Sequence, residues 1–114
     1  MLNQQQIECY RTDGYLVVED VLRDEELKEA HSIIADFMEK SRHISQQDGH
    51  FDLEPDHSPE HPKVRRMIGP ASYHPFFDGL YRDDRVLDVL TPLIGGGIRA
   101  QGDKLNMKPA DGGS

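Results

Sequence analysis

The sequence contains little cysteine, few apolar residues and no long apolar run, and these scarcities limit the class of protein. One Cys among 114 residues excludes a disulfide framework within the chain and fits a reducing compartment. Hydrophobic residues make up 36% and aromatic residues 7%, so any core is lean. No run approaches the roughly 18–20 apolar residues that span a bilayer, and the N-terminus has no secretory pattern. We therefore expect a cytoplasmic protein without a membrane partner.

The charge balance is strongly acidic. The chain has 21 Asp and Glu against 13 Lys and Arg, which gives a formal net charge of -8. Such a surface repels phosphate backbones, so we expect no nucleic-acid partner. The length suits one domain rather than two, and we treat residues 1–114 as one unit.

Residues 1–40 predict a helix, a strand and a second helix. Asn3 is a good N-cap for the first helix, Gln6 is placed to complete a capping box, and Gly14 is placed to end it. The β-branched and aromatic run Tyr15–Val18 predicts a strand. A long helix is predicted from Glu25 to about Lys40, with Asp24 as N-cap. Its expected buried stripe consists of Leu27, Ala30, His31, Ile34, Phe37 and Met38.

Residues 41–62 show neither a helical nor a strand period, and we predict a long loop there. The remainder, 63–114, predicts a short strand, short helices and a final strand over 98–109. A helix beginning near Asp83 or Asp84 is expected to be kinked or shortened by Pro92. In the final strand, Lys104, Asn106 and Lys108 are expected to share one face.

The only pattern in the residues that suits a metal is His50-Phe51-Asp52, which has the His-x-Asp spacing of non-haem iron sites. A third ligand would come from His57, His61 or His74. With six His in the chain such a pattern can arise by chance, so a solvated loop is the favoured interpretation. Zinc binding by the wider His cluster is not expected, because its members lack the Cys/His spacing of a structural site: His43, His50, His57, His61 and His74.

Other residues of reactive type also have ordinary structural interpretations. We interpret Cys9 as a small, partly buried residue, because nothing near it in sequence would activate a thiol. His31 is expected on the core side of the long helix. Arg65 and Arg66 suit a carboxylate ligand, although an ordinary surface pair explains them as well.

Several segments together resemble the N-terminal part of the phytanoyl-CoA dioxygenase family. They are the opening from Gln6-Ile7 through Tyr10-Arg11-Thr12-Asp13-Gly14-Tyr15-Leu16-Val17-Val18-Glu19-Asp20-Val21-Leu22, then Val64-Arg65-Arg66-Met67, His74-Pro75-Phe76-Phe77, and Asp84-Arg85-Val86-Leu87-Asp88-Val89-Leu90. The most specific segment is Gln101-Gly102-Asp103-Lys104-Leu105-Asn106-Met107-Lys108-Pro109-Ala110, which resembles the strand that precedes that family's iron motif.

The resemblance implies an α+β fold in which N-terminal helices cover the first strands of a double-stranded β-helix, or jelly roll. It also implies Fe(II) and 2-oxoglutarate as cofactors and hydroxylation of a small-molecule substrate. In the family, His-x-Asp and a distant His hold the metal, and they follow the Lys-Pro strand. The chain stops at Ser114, just before that place. We therefore expect a portion truncated before the iron motif, with no catalytic or metal-binding residue assigned and no activity of its own.

Three residues match cosubstrate-contacting positions of relatives: Asn106, Lys104 and Arg66. Lys63 or Arg65 is an alternative to Arg66, because loop lengths differ. Two cations and an amide suit a dianionic keto acid. The alternative function is a non-catalytic binding or dimerisation module of the same fold, with self-association through the exposed C-terminal strand.

Overall fold

The computed structural model of the protein describes residues 2–46 and 48–108 and has an α+β architecture, as expected. Five helices and three strands follow one another in that part of the chain. They are α1 (Gln4–Asp13), α2 (Asp24–Ser41), β1 (Phe51–Leu53), β2 (Val64–Ile68), α3 (Pro70–Tyr73), α4 (Pro75–Tyr81), α5 (Asp84–Ile94) and β3 (Lys104–Asn106).

Helix α1 begins and ends at the residues that the sequence predicts. The Asn3 side chain accepts a hydrogen bond from the Gln6 N–H at 2.8 Å, and the Gln6 side chain accepts from the Asn3 N–H at 2.9 Å. Gly14 ends the helix with φ 84, in the left-handed region, and its N–H bonds the Tyr10 carbonyl. Cys9 is exposed on this helix, so its expected partial burial is wrong.

Helix α2 confirms the predicted long helix but corrects its start and part of its buried stripe. The N-cap is Arg23, not Asp24, and the Glu26 carboxylate accepts from the Arg23 N–H at 2.9 Å. Phe37 is fully buried, while Leu27 and His31 are exposed. The stripe is buried only where the sheet lies against it, which is the C-terminal half of the helix.

The predicted strand over Tyr15–Val18 is wrong, because this segment has no regular structure. Tyr15 is 68% exposed and Val17 is 73% exposed, whereas Leu16 and Val18 are half-buried. β-Propensity describes how well a side chain fits a pleated surface, and a strand also needs a hydrogen-bonded neighbour. In the described part of the chain the sheet consists of β1, β2 and β3, and this segment does not join it.

The predicted loop over 41–62 is wrong at its centre, where Phe51–Leu53 forms β1. The strand pairs antiparallel with β2, and the Phe51 ring stacks on Phe37 with centroids 4.1 Å apart. Three residues are too few to show a period of two in the sequence. The strand exists because of contacts with α2 and β2, which lie elsewhere in the chain.

The connection between β1 and β2 is closed by His57. Its Nε2 lies 2.8 Å from the Ser41 carbonyl oxygen, and its Nδ1 accepts from the Lys63 N–H at 2.8 Å. One neutral tautomer satisfies both contacts, because Nε2 then donates and Nδ1 accepts. The loop is thereby held against the C-terminal end of α2.

The C-terminal half contains the predicted helices with small differences. The N-cap of α5 is Asp83, and the helix continues through Pro92 to Ile94, so the expected shortening does not occur. Helix α3, which the sequence did not indicate, begins with Pro70 after Gly69. The final strand is confined to Lys104–Asn106 instead of 98–109, and residues 109–114 lie outside the described residues.

The sheet has the order β1-β2-β3 with both pairs antiparallel, and its apolar face carries the core. The buried cluster joins α2, the sheet and α4, and consists of Phe37, Phe51, Leu53, Val64, Met67 and Phe77. Leu105 and Met107 pack against it. Within the described residues, no helix combines the length and the apolar character needed to cross a membrane.

Candidate functional site

The face of the sheet opposite the core carries four polar side chains beside Ile68. Successive side chains of a strand point to opposite faces, so the row Phe51, Met67 and Leu105 faces the core. The next row therefore faces away from it: Asp52 lies opposite Arg66, and Arg66 lies opposite Asn106. We call this row, together with Lys104, the polar row. It brings a carboxylate, a guanidinium, an amide and an ammonium group together.

Asp52 and Arg66 form the centre of the polar row. The Arg66 Nε donates a hydrogen bond to Asp52 Oδ2 at 2.5 Å. The Asp52 side chain is 4% exposed and that of Arg66 is 39% exposed. A buried carboxylate needs a paired cation, so this contact holds the Arg66 guanidinium at Nε, while the Arg66 side chain as a whole remains partly exposed.

Lys104 and Asn106 form the β3 side of the polar row, and both are exposed. Asn106 lies directly opposite Arg66, a position at which Cβ atoms are about 4.5–5.5 Å apart. Lys104 lies opposite Ile68 and is therefore the diagonal neighbour of Arg66, at about 7–8 Å. The expected sharing of one face by Lys104 and Asn106 agrees with this register, whereas Lys108, the third residue expected on that face, lies beyond the end of β3.

The three basic residues that the sequence left open have different surroundings in the structure. Lys63 precedes β2, and its Nζ contacts Asp56 Oδ2 at 2.6 Å. Arg65 lies at a β-bulge, where the register changes between Asp52 and Leu53, and its Nη2 donates to Glu54 Oε2 at 3.3 Å. Arg66 is the one whose Cα partner is Asn106.

Ion pairs beside the polar row shift the pKa values of Arg65 and Asp56. The hydrogen bond from Arg65 to Glu54, with the attraction of that carboxylate, raises the pKa of Arg65 above its ordinary value. The hydrogen bond from Lys63 lowers the pKa of Asp56. Arg65 therefore stays cationic and engaged with Glu54.

His50 and Asp52, the residues of the His-x-Asp pattern, are engaged by the protein itself. The His50 Nδ1 lies 2.7 Å from the Ile68 carbonyl oxygen, and its ring meets Tyr73 edge to face. Asp52 contacts Arg66. Over residues 2–46 and 48–108, no group of three His, Cys, Asp or Glu is arranged to hold a metal ion.

A second feature, which sequence reasoning missed, is an apolar groove of about 470 Å³ between α4, α5 and the segment before β3. Its lining includes Phe77, Leu80, Leu87, Leu90 and Ile98. The signal was present in the apolar stripe of α5, which the sequence predicted to be buried but which has no fully buried residue. Arg66, Lys104 and Asn106 do not line this groove, so it is separate from the polar row.

Tyr81 and Asp103 lie at the polar edge of the groove. The Asp103 side chain accepts from the Ala71 N–H at 2.7 Å, which ties the segment before β3 to α3. Burial, and then the neighbouring Asp103 carboxylate, raise the pKa of Tyr81. This tyrosine is therefore a neutral hydroxyl at ordinary pH.

Comparison of the chain with protein-family models, with curated proteins and with solved structures found no match to any of them.

Proposed function

We propose that the chain is the N-terminal part of a non-haem Fe(II)/2-oxoglutarate-dependent dioxygenase resembling phytanoyl-CoA dioxygenase, and that its polar row contacts 2-oxoglutarate. The observation that carries the proposal is the placement of Arg66, Lys104 and Asn106 as neighbours on the exposed face of one small sheet. The pairing of β2 with β3 brings positions that lie up to 40 residues apart in sequence side by side, on a face that a ligand can reach.

The donor set suits the cosubstrate. Arg66 supplies a planar fork that matches a carboxylate, Lys104 supplies a mobile ammonium group, and Asn106 supplies an amide that both donates and accepts. A dicarboxylate keto acid carries acceptors at both ends and at its carbonyl. The three side chains offer complementary groups for such a molecule, and the two cations attract it in a chain that is otherwise acidic.

The arrangement of the layers also supports the proposal. Helix α2 covers one face of the sheet through Phe37, and the other face carries the polar row. A jelly-roll enzyme requires this division, with helices packed outside and polar groups lining the inside of the barrel. We propose that β1, β2 and β3 belong to such a barrel.

The described residues do not fit an iron site. The bound metal supplies the activation of oxygen in dioxygenases of this kind. Since residues 2–46 and 48–108 contain no suitable group of ligands, we assign no step through iron to them. The role proposed for these residues is to bind and orient the cosubstrate.

The test is titration of the ¹⁵N-labelled chain with 2-oxoglutarate, followed by NMR. We expect chemical-shift changes that are largest at Arg66, Lys104 and Asn106. In Lys104→Ala we expect the affinity for 2-oxoglutarate to fall about fivefold or more. Lys40→Ala is the matched control, because Lys40 lies on α2 and pairs with Asp36. Titration without shifts in the polar row would contradict the proposed contact.

A turnover assay tests the other half of the proposal. The chain is incubated with Fe(II), ascorbate and 2-oxoglutarate, and succinate is measured. We expect no succinate from these 114 residues alone. Succinate formation would place the metal ligands within the chain and would contradict its assignment as the portion that precedes the iron motif.

The second candidate is a non-catalytic module that associates through β3. Within the described residues β3 pairs with β2 on one side, and no described strand pairs with its other side, so it forms an edge of the sheet. Such edges are ready to pair with another strand. Light scattering after size exclusion distinguishes the candidates: a stable dimer that does not respond to 2-oxoglutarate favours the module, and a monomer that binds it favours the dioxygenase portion.

A further inference from the structure

We infer that Asp52 is a positioning residue, which fixes the guanidinium of Arg66 so that its outer N–H groups meet a carboxylate beside Asn106. The inference rests on the proposed function, because that carboxylate belongs to 2-oxoglutarate. Asp52 itself does not touch the cosubstrate and acts through Arg66.

The register of the sheet places Arg66 between Asp52 and Asn106. Arg66 is the central member of its row, with Asp52 as its partner on β1 and Asn106 as its partner on β3. The contact to Asp52 uses Nε, the donor nearest the backbone. A guanidinium is rigid and planar with five N–H donors, so a bond at Nε fixes its plane, and the four N–H groups on the Nη atoms are additional to it.

The two partners of the ion pair differ in their exposure to solvent. Asp52 is enclosed, whereas Arg66 is more than a third exposed. Solvent therefore competes poorly for the Asp52 end of the pair, while a ligand has access to the Arg66 end. Because the ion pair already restricts the Arg66 side chain at its buried end, Arg66 loses less conformational freedom when it binds an anion.

The change in anion affinity on removal of Asp52 tests the inference, because a competing role and a positioning role for Asp52 predict changes of opposite sign. If Asp52 only competes for Arg66, its removal frees the guanidinium and deletes a negative charge, so anions bind more tightly. If Asp52 positions Arg66, loss of its acceptor oxygen weakens binding in spite of the lost negative charge.

The experiment compares Asp52→Asn with Asp52→Leu. Both variants remove the negative charge, but only asparagine keeps an oxygen that accepts from the Arg66 Nε–H. We expect the leucine variant to bind 2-oxoglutarate about fivefold more weakly than the asparagine variant, which is the effect of one hydrogen bond. Asp56→Leu, at an exposed ion pair with Lys63, is the control and is expected to change the Kd less than about twofold.

A spectroscopic readout reports the positioning directly. The Arg66 Nε–H resonance should exchange slowly with water in the wild-type chain and in Asp52→Asn, and rapidly in Asp52→Leu. Thermal melting of each variant verifies folding, and Asp52→Ala takes the place of the leucine variant if that variant does not melt cooperatively.

The experiment distinguishes failure of the Asp52 role from failure of the proposed function. Equal affinity of the two Asp52 variants, with binding retained by the wild-type chain, overturns the inference alone. A wild-type chain that does not bind 2-oxoglutarate, although its Arg66 Nε–H is protected, overturns the proposed function and with it the role of Asp52 toward the cosubstrate.

Discussion

Arg85 is held by two carboxylates that come from different parts of the chain. Its Nη1 and Nη2 donate to the two oxygens of Glu26 at 2.6 Å each, and Nη2 also donates to Asp83 at 2.7 Å. The hydrogen bonds from Arg85 lower the pKa of Glu26 and of Asp83 to about 2 each, and those carboxylates raise the pKa of Arg85. This side chain ties the first turn of α5 to the first turn of α2.

Arg85→Met is expected to lower the Tm at pH 7 and to flatten its dependence on acid. The folded pKa values of Glu26 and Asp83 lie below their ordinary values of 4.5 and 3.8. Their contribution to stability is therefore complete above those ordinary values and is lost as the pH falls toward about 2. Circular dichroism melts from pH 7 to pH 2 measure both effects.

Arg82→Met is the control for that prediction, because Arg82 forms an exposed pair with Asp78 and is 78% exposed. It is expected to change stability by less than about 0.5 kcal/mol. The role assigned to Arg85 is wrong if the wild-type chain and Arg85→Met lose stability in parallel as the pH falls.

At the scale of elements, two glycines show how local backbone conformation fixes the effect of a substitution. Gly14 ends α1 with φ 84, whereas Gly79 lies inside α4 with no unusual φ. A Cβ added at either position meets nothing within 4 Å. Sterics are thus equal, and backbone conformation alone distinguishes the two positions.

Gly14→Ala is expected to destabilise the protein by about 1–2 kcal/mol, since an L-residue is strained in the left-handed region. Gly79→Ala is expected to stabilise it by about 0.5–1 kcal/mol, since alanine lowers the entropy of the unfolded chain and favours a helix. Urea denaturation measures both changes. Effects of the same sign would contradict the assigned conformations.

At the scale of the whole molecule, the protein is elongated around a small core. Its dimensions are 50 × 28 × 27 Å and its radius of gyration is 16.9 Å, against about 13 Å for a compact chain of this length. The core cluster joins α2, the sheet and α4, while α5 has no fully buried residue. Stability thus depends on few side chains.

Met67→Ala is expected to cost about 2–5 kcal/mol, because Met67 is fully buried at the centre of the core cluster. This is a large part of the 5–15 kcal/mol typical of small domains. Val17→Ala, at a well-exposed position, is expected to stay within about 0.5 kcal/mol of the wild type. Similar midpoints in urea for both variants would show that the core cluster does not dominate stability.

At the candidate site, the sequence predicted correctly the feature that depends only on the alternation of side chains along a strand. Lys104 and Asn106 share a face because side chains alternate along any strand. Sequence reasoning left Lys63, Arg65 and Arg66 open because loop lengths differ, and it could not foresee the bulge in β2 that shifts the alternation by one residue. It also missed the contact from Asp52 to Arg66, since nothing local relates residues that are 14 positions apart.

Local sequence was sufficient to predict the elements whose interactions lie within one turn of helix. The capping box of Asn3 and Gln6 and the left-handed Gly14 set the bounds of α1 through contacts three or four residues apart. Tertiary structure decided that Phe51–Leu53 is a strand and Tyr15–Val18 is not. The physical reason is that a strand is completed by hydrogen bonds and packing from distant segments, and only the folded chain determines which segments meet.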